Sequence, residues 1–585
     1  MRFNKFRKEL KKEYEINTCE IKPKRSYSIR KIFKTVLALS LSVFVFALII
    51  DSIAVGIYTD HQKARCQSLI EEVTLSSSSD LTKVNNINEV QKINWGTMNA
   101  KKSILSSIFV IRGCGSAQVT DGSMIYEPGT SDDNSYETNN QKKGINEPDI
   151  AKCSIDGGFI AYESYEKLNV FDLSGNLVST LNINMMDKMD YYLYKSKINM
   201  QVYNNKIILY NYKMINIYEF SDNKLTQIYS DTYDKLMDSR LKDNYLYLVS
   251  SNYKYDEDFK DVDTYYDICS GCSTLYRLIK INLDDMTKEE VDNLNDGYAQ
   301  LYMDDDYIIL ATHFYKFLDG VTYQLTLSSV FTTDLKPVGV IRTEGSVLNQ
   351  YSMNVKDGYF FIVVTKNSAK DNELNRIYSY DLSALELAGK IENNLGKGRE
   401  NVKSVSYSDD KCFVVTYRNT DPLYEIDITN PHEMVIVDEL ELPGYSSYMY
   451  NFELNGKKYI LGIGRTDIIT EGKISLFEDG DNSNKELGNL IIAPYNVSGV
   501  LTIPGFKPSL LERGYSLNLY NDGESLYLGG AVSYNYYYIF KIDPNAENVV
   551  TVYKSYETLD ETRMFIINSK ILIPNGEEMI IDDFR

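Results

Sequence analysis

DDKCFVVTY (409–417), followed by LYEIDI (423–428), is the unit on which the fold turns. Two acidic residues favour a turn, and an apolar strand rich in Phe, Val and Tyr follows. A second strand then ends in an acid and an aliphatic residue. Moving outward in both directions, the unit returns. Towards the N-terminus it reads DGYFFIVVT then RIYSYDL, DDYIILATHF, DNYLYLVSS then TLYRLIKINL, NNKIILYN then INIYEF, and DGGFIAYE then KLNVFDL. Towards the C-terminus it reads NGKKYILGIG then KISLFED, GESLYLGG then YYYIFKI, and a shortened NSKILIPN. The openings fall near 156, 204, 243, 305, 357, 409, 455, 522 and 568. A recurrence of roughly 40–65 residues is that of propeller blades with loop insertions. A lone hairpin leaves both faces bare, and radial repetition covers them while leaving only short sheet edges. The expected fold is therefore all-β: a β-propeller over 138–585 of about eight four-stranded blades, within a range of seven to nine, the last unit being truncated.

Composition agrees. A chain of 585 residues is too long for one ordinary core, and 49 tyrosines against the single Trp95 lean towards pleated structure. Charge is unevenly placed. Twelve of the 62 Lys and Arg residues and four of the 82 acids precede residue 35, so that segment carries +8 and the remainder −28. A body so acidic argues against nucleic acid as a partner, which needs cationic surface. It is compatible with divalent cations, with basic partners or with plain solubility.

Residues 35–50, TVLALSLSVFVFALII, carry no charge. Ile32 and Phe33 extend the run inward past Lys34, and Asp51 closes it on the other side before SIAVGIY (52–58). This is enough for a spanning helix, which needs about 20 apolar residues. The basic cluster Lys22, Lys24, Arg25, Arg30, Lys31 and Lys34 orients it by the positive-inside rule. The expected order is a basic cytoplasmic tail (1–31), a transmembrane signal-anchor helix (32–58), a partly helical stalk and linker (59–137), and an extracellular propeller. A cleaved signal peptide ending near Ser52-Ile53-Ala54 is the competing reading.

VSYSDDKCFVVTYRNTDPLYEIDITNP (405–431), with LPGYSSYMY (442–450), LGIG (461–464) and KISLFED (473–479), resembles a bacterial family of secreted β-propeller proteins distantly related to WD40 repeats. TNNQKKGINEPDIAK (138–152) resembles the opening segment of that family, and VLNQYSMNVKDGYFFIVVT (347–365) a middle one. The resemblance covers roughly 138–480 and fades after 480. It implies the fold and an extracytoplasmic location, and it implies no catalytic residue.

Candidate chemistry is sparse. Of three histidines, His61 lies beside the apolar run, His313 on a strand and His432 in a turn. No G-x-S-x-G elbow supports a Ser-His-Asp hydrolase, and a zinc site of several histidines has too few of them. Cys269 and Cys272 form C-S-G-C, which outside the cell reads as a small disulfide, or as two free thiols, sooner than as a metal or redox site. Cys19 falls in the cytoplasmic tail, Cys66 and Cys114 in the stalk, and Cys153 and Cys412 read as small buried hydrophobes on strands. Acidic clusters invite calcium, but none meets the EF-hand pattern. Asp304, Asp305 and Asp306, or Glu478, Asp479 and Asp481, read as solvated turns, and Asp256, Asp258, Asp261 and Asp263 are the remaining cation candidate. No other cofactor is expected, since a quinone propeller docks its blades with repeated tryptophans. Tyr534, Tyr536, Tyr537 and Tyr538 read either as a stacking surface for a glycan or peptide or as ordinary strand packing. The expected function is a non-enzymatic binding module for a protein, peptide or cell-wall polysaccharide. The alternative is an extracellular hydrolase or lyase with carboxylates in the propeller channel.

Overall fold

The computed structural model describes residues 140–585 except 184–197, 256–271, 296–297, 319–320, 367–373, 398–399, 418–420, 443, 481–483 and 513–516, together with residues 36–46, 49–50 and 53. Nine sheets, antiparallel but for one short parallel pair at 492–493 and 501–502, follow one another along the chain, at 151–182, 199–232, 236–295, 298–344, 346–391, 401–442, 445–502, 518–557 and 565–583. These are blades 1 to 9. Within each, strand order follows chain order, first strand to last.

The units found in the sequence are the second and third strands of these blades, and their openings are the first turns. Such tight turns need a positive φ, which Asn, Asp and Gly reach at least cost. Asn204, Asp243, Asp357, Asp409, Asn455 and Asn568 all take it, at φ 45 to 52°. Blade 4 solves the turn differently. There the Asp304 carboxylate accepts from the amides of Asp306 (2.9 Å) and Tyr307 (2.8 Å).

The second strand of each blade is apolar on both sides because each side faces a neighbouring blade. In Tyr359–Thr365, Phe360, Ile362 and Val364 pack with Ile309, Val330 and Ile341 of blade 4. Phe361 and Val363 pack with Val405, Val414 and Ile426 of blade 6. The core is thus a ring of inter-blade clusters, and last strands such as Lys224–Thr232 are largely exposed. Seven blades share a register shift between third and fourth strands, for example at Val170/Phe171 and Ile539/Phe540. Such bulges add local twist.

Nine blades make the ring, the upper end of the expected seven to nine, and not all are four-stranded. Blade 9 has three strands, Phe565–Ile567, Lys570–Asn575 and Glu578–Asp583. The shortened last repeat is a blade in its own right, because it covers the first blade as any other would. Phe565, Ile567 and Leu572 share a cluster with Ile160, Tyr162 and Phe171. Across the same boundary the Tyr162 hydroxyl donates to the carbonyl of Glu561 (3.0 Å) and Asn169 Nδ2 to that of Gly576 (3.0 Å).

Residues 36–46 are helical and belong to a unit separate from the propeller. The Ser40 and Ser42 hydroxyls donate to the carbonyls of Val36 and Ala38, four residues back. Among the described residues no helix is long and apolar enough to cross a membrane. Apart from 49–50 and 53, which are also helical, the rest of the expected helix over 32–58, and the stalk, lie outside the described residues.

Candidate functional site

The propeller channel is occupied by the chain itself. Ahead of blade 1, residues 140–150 (NQKKGINEPDI) lie against the first, inner strands of blades 2, 3 and 5 and reach Arg563 just ahead of blade 9. Ile145–Asn146 pairs antiparallel with Leu236–Lys242, the first strand of blade 3. Asp149 forms a bridge with Met200 of blade 2 through two backbone hydrogen bonds of 3.0 and 2.8 Å. Pro148 lies between Glu147 and Asp149 and has no amide proton to leave unpaired there.

The two carboxylates of this segment meet two buried arginines. Asp149 pairs with Arg563 of blade 9, Oδ1 to Nη2 at 2.7 Å and Oδ2 from Nε at 2.9 Å, with both side chains essentially inaccessible. Glu147 faces Arg240 of blade 3 at 3.8 Å. It also accepts from Gln350 Nε2 (2.9 Å), the amide of Gln141 (3.1 Å) and the Tyr351 hydroxyl (3.4 Å). Blade 5 supplies Gln350 and Tyr351 because a single 3-10 turn, Gln350–Ser352, interrupts its innermost strand. Gln350 Oε1 accepts from Arg240 Nη2 at 2.6 Å, which closes the network.

The two arginines are held alike. Each donates Nη1 to the carbonyl of the preceding residue, Ser239 (2.7 Å) or Thr562 (2.8 Å). Each pairs with the acid two residues back, Asp238 (2.9 Å) or Glu561 (3.2 Å). An acid–hydroxyl–arginine triplet therefore recurs as Asp238-Ser239-Arg240 and Glu561-Thr562-Arg563. Burial pushes the Glu147 carboxyl above its usual range, with Arg240 pulling the other way. The acids around Arg240 and Arg563 hold both guanidinium groups firmly protonated despite their burial. A buried carboxyl with a raised pKa is a feature of acid catalysts. Here its oxygens are taken up by partners within the protein.

Beside the entry of this segment, a cavity of about 430 Å³ is lined by Lys142, Lys143, Asp304, Asp305, Asp306 and Asp357 among others. Asp304 is turned inward: the Tyr302 hydroxyl donates to it at 3.0 Å, and burial raises its carboxyl. Asp305 pairs with Lys242 at 3.0 Å.

The other candidates are dispersed. His432 is exposed, its ring 5.6 Å from that of Tyr359, and His313 lies on the strand Tyr307–Leu318 opposite Tyr298 and Thr326. Cys153 and Cys412 are buried free thiols, and burial pushes Cys153 up to about 12. Cys272 begins the strand Cys272–Asn282. Cys269 and the cation candidates Asp256, Asp258, Asp261 and Asp263 lie outside the described residues, as do Cys19, His61, Cys66, Cys114 and Asp481. Asp479 is tied to Lys411 at 2.5 Å and Glu478 to Lys457 at 2.9 Å. The four tyrosines do not form one surface. Strand alternation buries Tyr537, whose hydroxyl donates to Asn518 (3.0 Å), while Tyr534 in the turn is exposed. Among the described residues no three His, Cys, Asp or Glu side chains are grouped to hold a metal ion.

The sequence model described as the Beta propeller domain matches residues 135–502, more than half of the chain. The chain belongs to that family. The match starts just ahead of the channel segment and ends in blade 7, near where the resemblance in the sequence fades. Two archaeal relatives of the Beta propeller domain chain are each described as an uncharacterized protein. That of Methanocaldococcus jannaschii is 33% identical over 214 residues, covering 36% of this chain and 31% of its own length. That of Archaeoglobus fulgidus is 35% identical over 167 residues, covering 28% and 25%. The match thus spans about a third or less of either relative. Among solved structures, Hsv2 of Kluyvelomyces marxianus aligns over 60% of this chain and 95% of its own, at 14% identity and a TM-score of 0.32. Apo AztD of Citrobacter koseri aligns over 73% and 91%, at 12% identity and a TM-score of 0.32. Likeness of that grade carries no functional information.

Proposed function

We propose that the chain is a non-enzymatic binding module carried at the cell surface, with its propeller outside the cell on a single N-terminal helix. One observation supports the binding reading above the others: the groups converging in the channel are paired with the protein's own segment, Asp149 with Arg563 and Glu147 with Arg240, Gln350 and Tyr351. Recognition then falls to the turns and connections at the ends of the ring, where a protein, peptide or cell-wall polysaccharide is met. Calcium in the acidic insertion at 256–263 is kept as an expected addition to that role. The alternative, a hydrolase or lyase, draws on the raised carboxyl of Glu147. The purified full chain should bind members of arrayed peptides, proteins and polysaccharides without turning over glycoside, ester or uronate substrates. Turnover that Glu147→Gln abolishes would establish the enzyme instead.

The address rests on the apolar run. Its described helical residues, including Val36, Leu37, Leu39 and Val45, expose apolar side chains around the whole helix, as a helix in lipid does. Protease added to intact cells should strip off the propeller and leave a tag at the N-terminus intact. Loss of the tag with retention of the propeller would reverse the orientation.

A further inference from the structure

Several large apolar side chains that the propeller leaves exposed fall at one end of the ring. Each blade repeats the same strand order, so the first turns share one end. The turns between second and third strands, and the connections between blades, share the other. On this second end blade 7 presents Ile468 and Ile469, the latter 74% exposed, beside Tyr495, whose hydroxyl meets Thr470 Oγ1 at 3.2 Å. Arg465, at the base of that loop, donates Nη1 to the carbonyl of Ile469 (3.3 Å) and pairs with Glu512, just after the short helix Pro508–Leu511. Lys507, just before that helix, lies 3.7 Å from the ring centroid of Tyr534 in blade 8. The amide of Thr558 donates to the carbonyl of Asn535 at 2.9 Å. The next residue, Leu559, accepts on its carbonyl from the Tyr165 hydroxyl of blade 1 at 3.0 Å. Tyr534, Leu559 and Tyr165 are 58 to 68% exposed. Ile469 and Tyr165 are thus the two ends of one connected band across blades 7, 8, 9 and 1.

The charge along the band is mostly of one sign. Glu166, Asp467 and Glu557 are exposed one or two residues from its apolar members. The neighbouring lysines are engaged, Lys507 on Tyr534 and Lys167 with Glu577. Apolar tips set among free carboxylates complement a chain that alternates apolar with cationic side chains. Lys507 on Tyr534 is an internal instance of the same contact. A polysaccharide is a poorer match, since Ile468, Ile469 and Leu559 offer neither hydrogen bonds nor a stacking face.

We propose that this band docks a basic, amphipathic polypeptide segment of another protein. The inference deepens the binding reading above and rests on it.

The test uses the full chain in detergent micelles and three short fluorescent peptides read by anisotropy. One alternates Lys with Leu and Trp, one has the same charge but Ser in place of Leu and Trp, and one carries Glu in place of Lys. The first should bind best. Ile469→Asp with Leu559→Asp, and separately Tyr165→Ser with Tyr534→Ser, should each weaken it about tenfold or more while the urea midpoint holds. Asp156→Asn with Asp222→Asn, exposed in turns at the opposite end, should leave it unchanged. Equal binding of the first two peptides, equal loss in the Asp156/Asp222 variant, or no peptide binding at all would overturn the proposal. A ligand that binds the protein but is indifferent to the band variants overturns the band and leaves the binding module standing. Substrate turnover without binding removes the binding module itself.

Discussion

Replacing Asp149 by alanine will destabilise the propeller by about 3–5 kcal/mol, the range found when one partner of a buried ion pair is removed. That is a large part of the 5–15 kcal/mol typical of a folded domain. Arg563 is completely buried, and after the substitution its guanidinium keeps only Glu561 at 3.2 Å and the carbonyl of Thr562. A second loss is local, because Asp149 Oδ1 also accepts from the amide of Ile150 at 2.7 Å. The position matters for the ring. No strand is exchanged between the first and last blades, so closure rests on the cluster around Tyr162 and Phe565, on the hydrogen bonds of Tyr162 and Asn169 across the boundary, and on this pair. The double variant Asp149→Leu with Arg563→Met should lose less than the single one, since an apolar pair of similar volume replaces a buried ion pair at little cost. Urea midpoints at unchanged m-value measure both. A loss below about 0.5 kcal/mol for Asp149→Ala, the scale of an ordinary surface substitution, would remove the pair from the account of closure.

Local chemistry made the repeat legible. The first turns need residues that tolerate a positive φ, so Asn204, Asp243, Asp357, Asp409, Asn455 and Asn568 mark six of the blades by residue type alone. The second strands need apolar residues on both faces, so runs such as YFFIVVT and KCFVVTY stand out. The number of blades is a property of closure. Whether NSKILIPN completes a neighbour or forms its own blade depends on its fit against Ile160 and Phe171, more than 390 residues away in sequence.

The channel site was illegible for the same reason. NQKKGINEPDI is polar, holds a proline and has no strand alternation, so nothing local marks Glu147 and Asp149 as buried. Their partners come from blades 3, 5 and 9, with Arg563 lying 414 positions from Asp149. The usable signal was a charged triplet in or just ahead of a first strand. Asp238-Ser239-Arg240 and Glu561-Thr562-Arg563 each place an arginine where a neighbour must neutralise it. Of the two readings of the tyrosine run, the strand packing is the one that the alternation of Tyr536–Ile542 supports. Tyr536, Tyr537 and Tyr538 alternate sides of one strand, so proximity in sequence separates them in space.

The second large effect is on hydrogen exchange, and it bears on the central claim that residues 140–150 are part of the folded ring. A polar linker exchanges its amides at close to the random-coil rate. A segment that opens only when the propeller unfolds exchanges slower by the factor set by global stability. At 5 kcal/mol or more, that factor is about three to four powers of ten. Its amides have the partners this requires: Ile145 donates to Lys142 at 3.1 Å, Glu147 to the Asn140 side chain at 2.9 Å and Asp149 to Met200 at 3.0 Å. The measurement is hydrogen–deuterium exchange of the full chain, with peptides covering 140–150 compared with those covering the first strands Leu236–Lys242 and Asn401–Ser408. The account predicts that the channel segment stays protected as long as those strands do. Full exchange of 140–150 within seconds, while the strands remain protected, would contradict it.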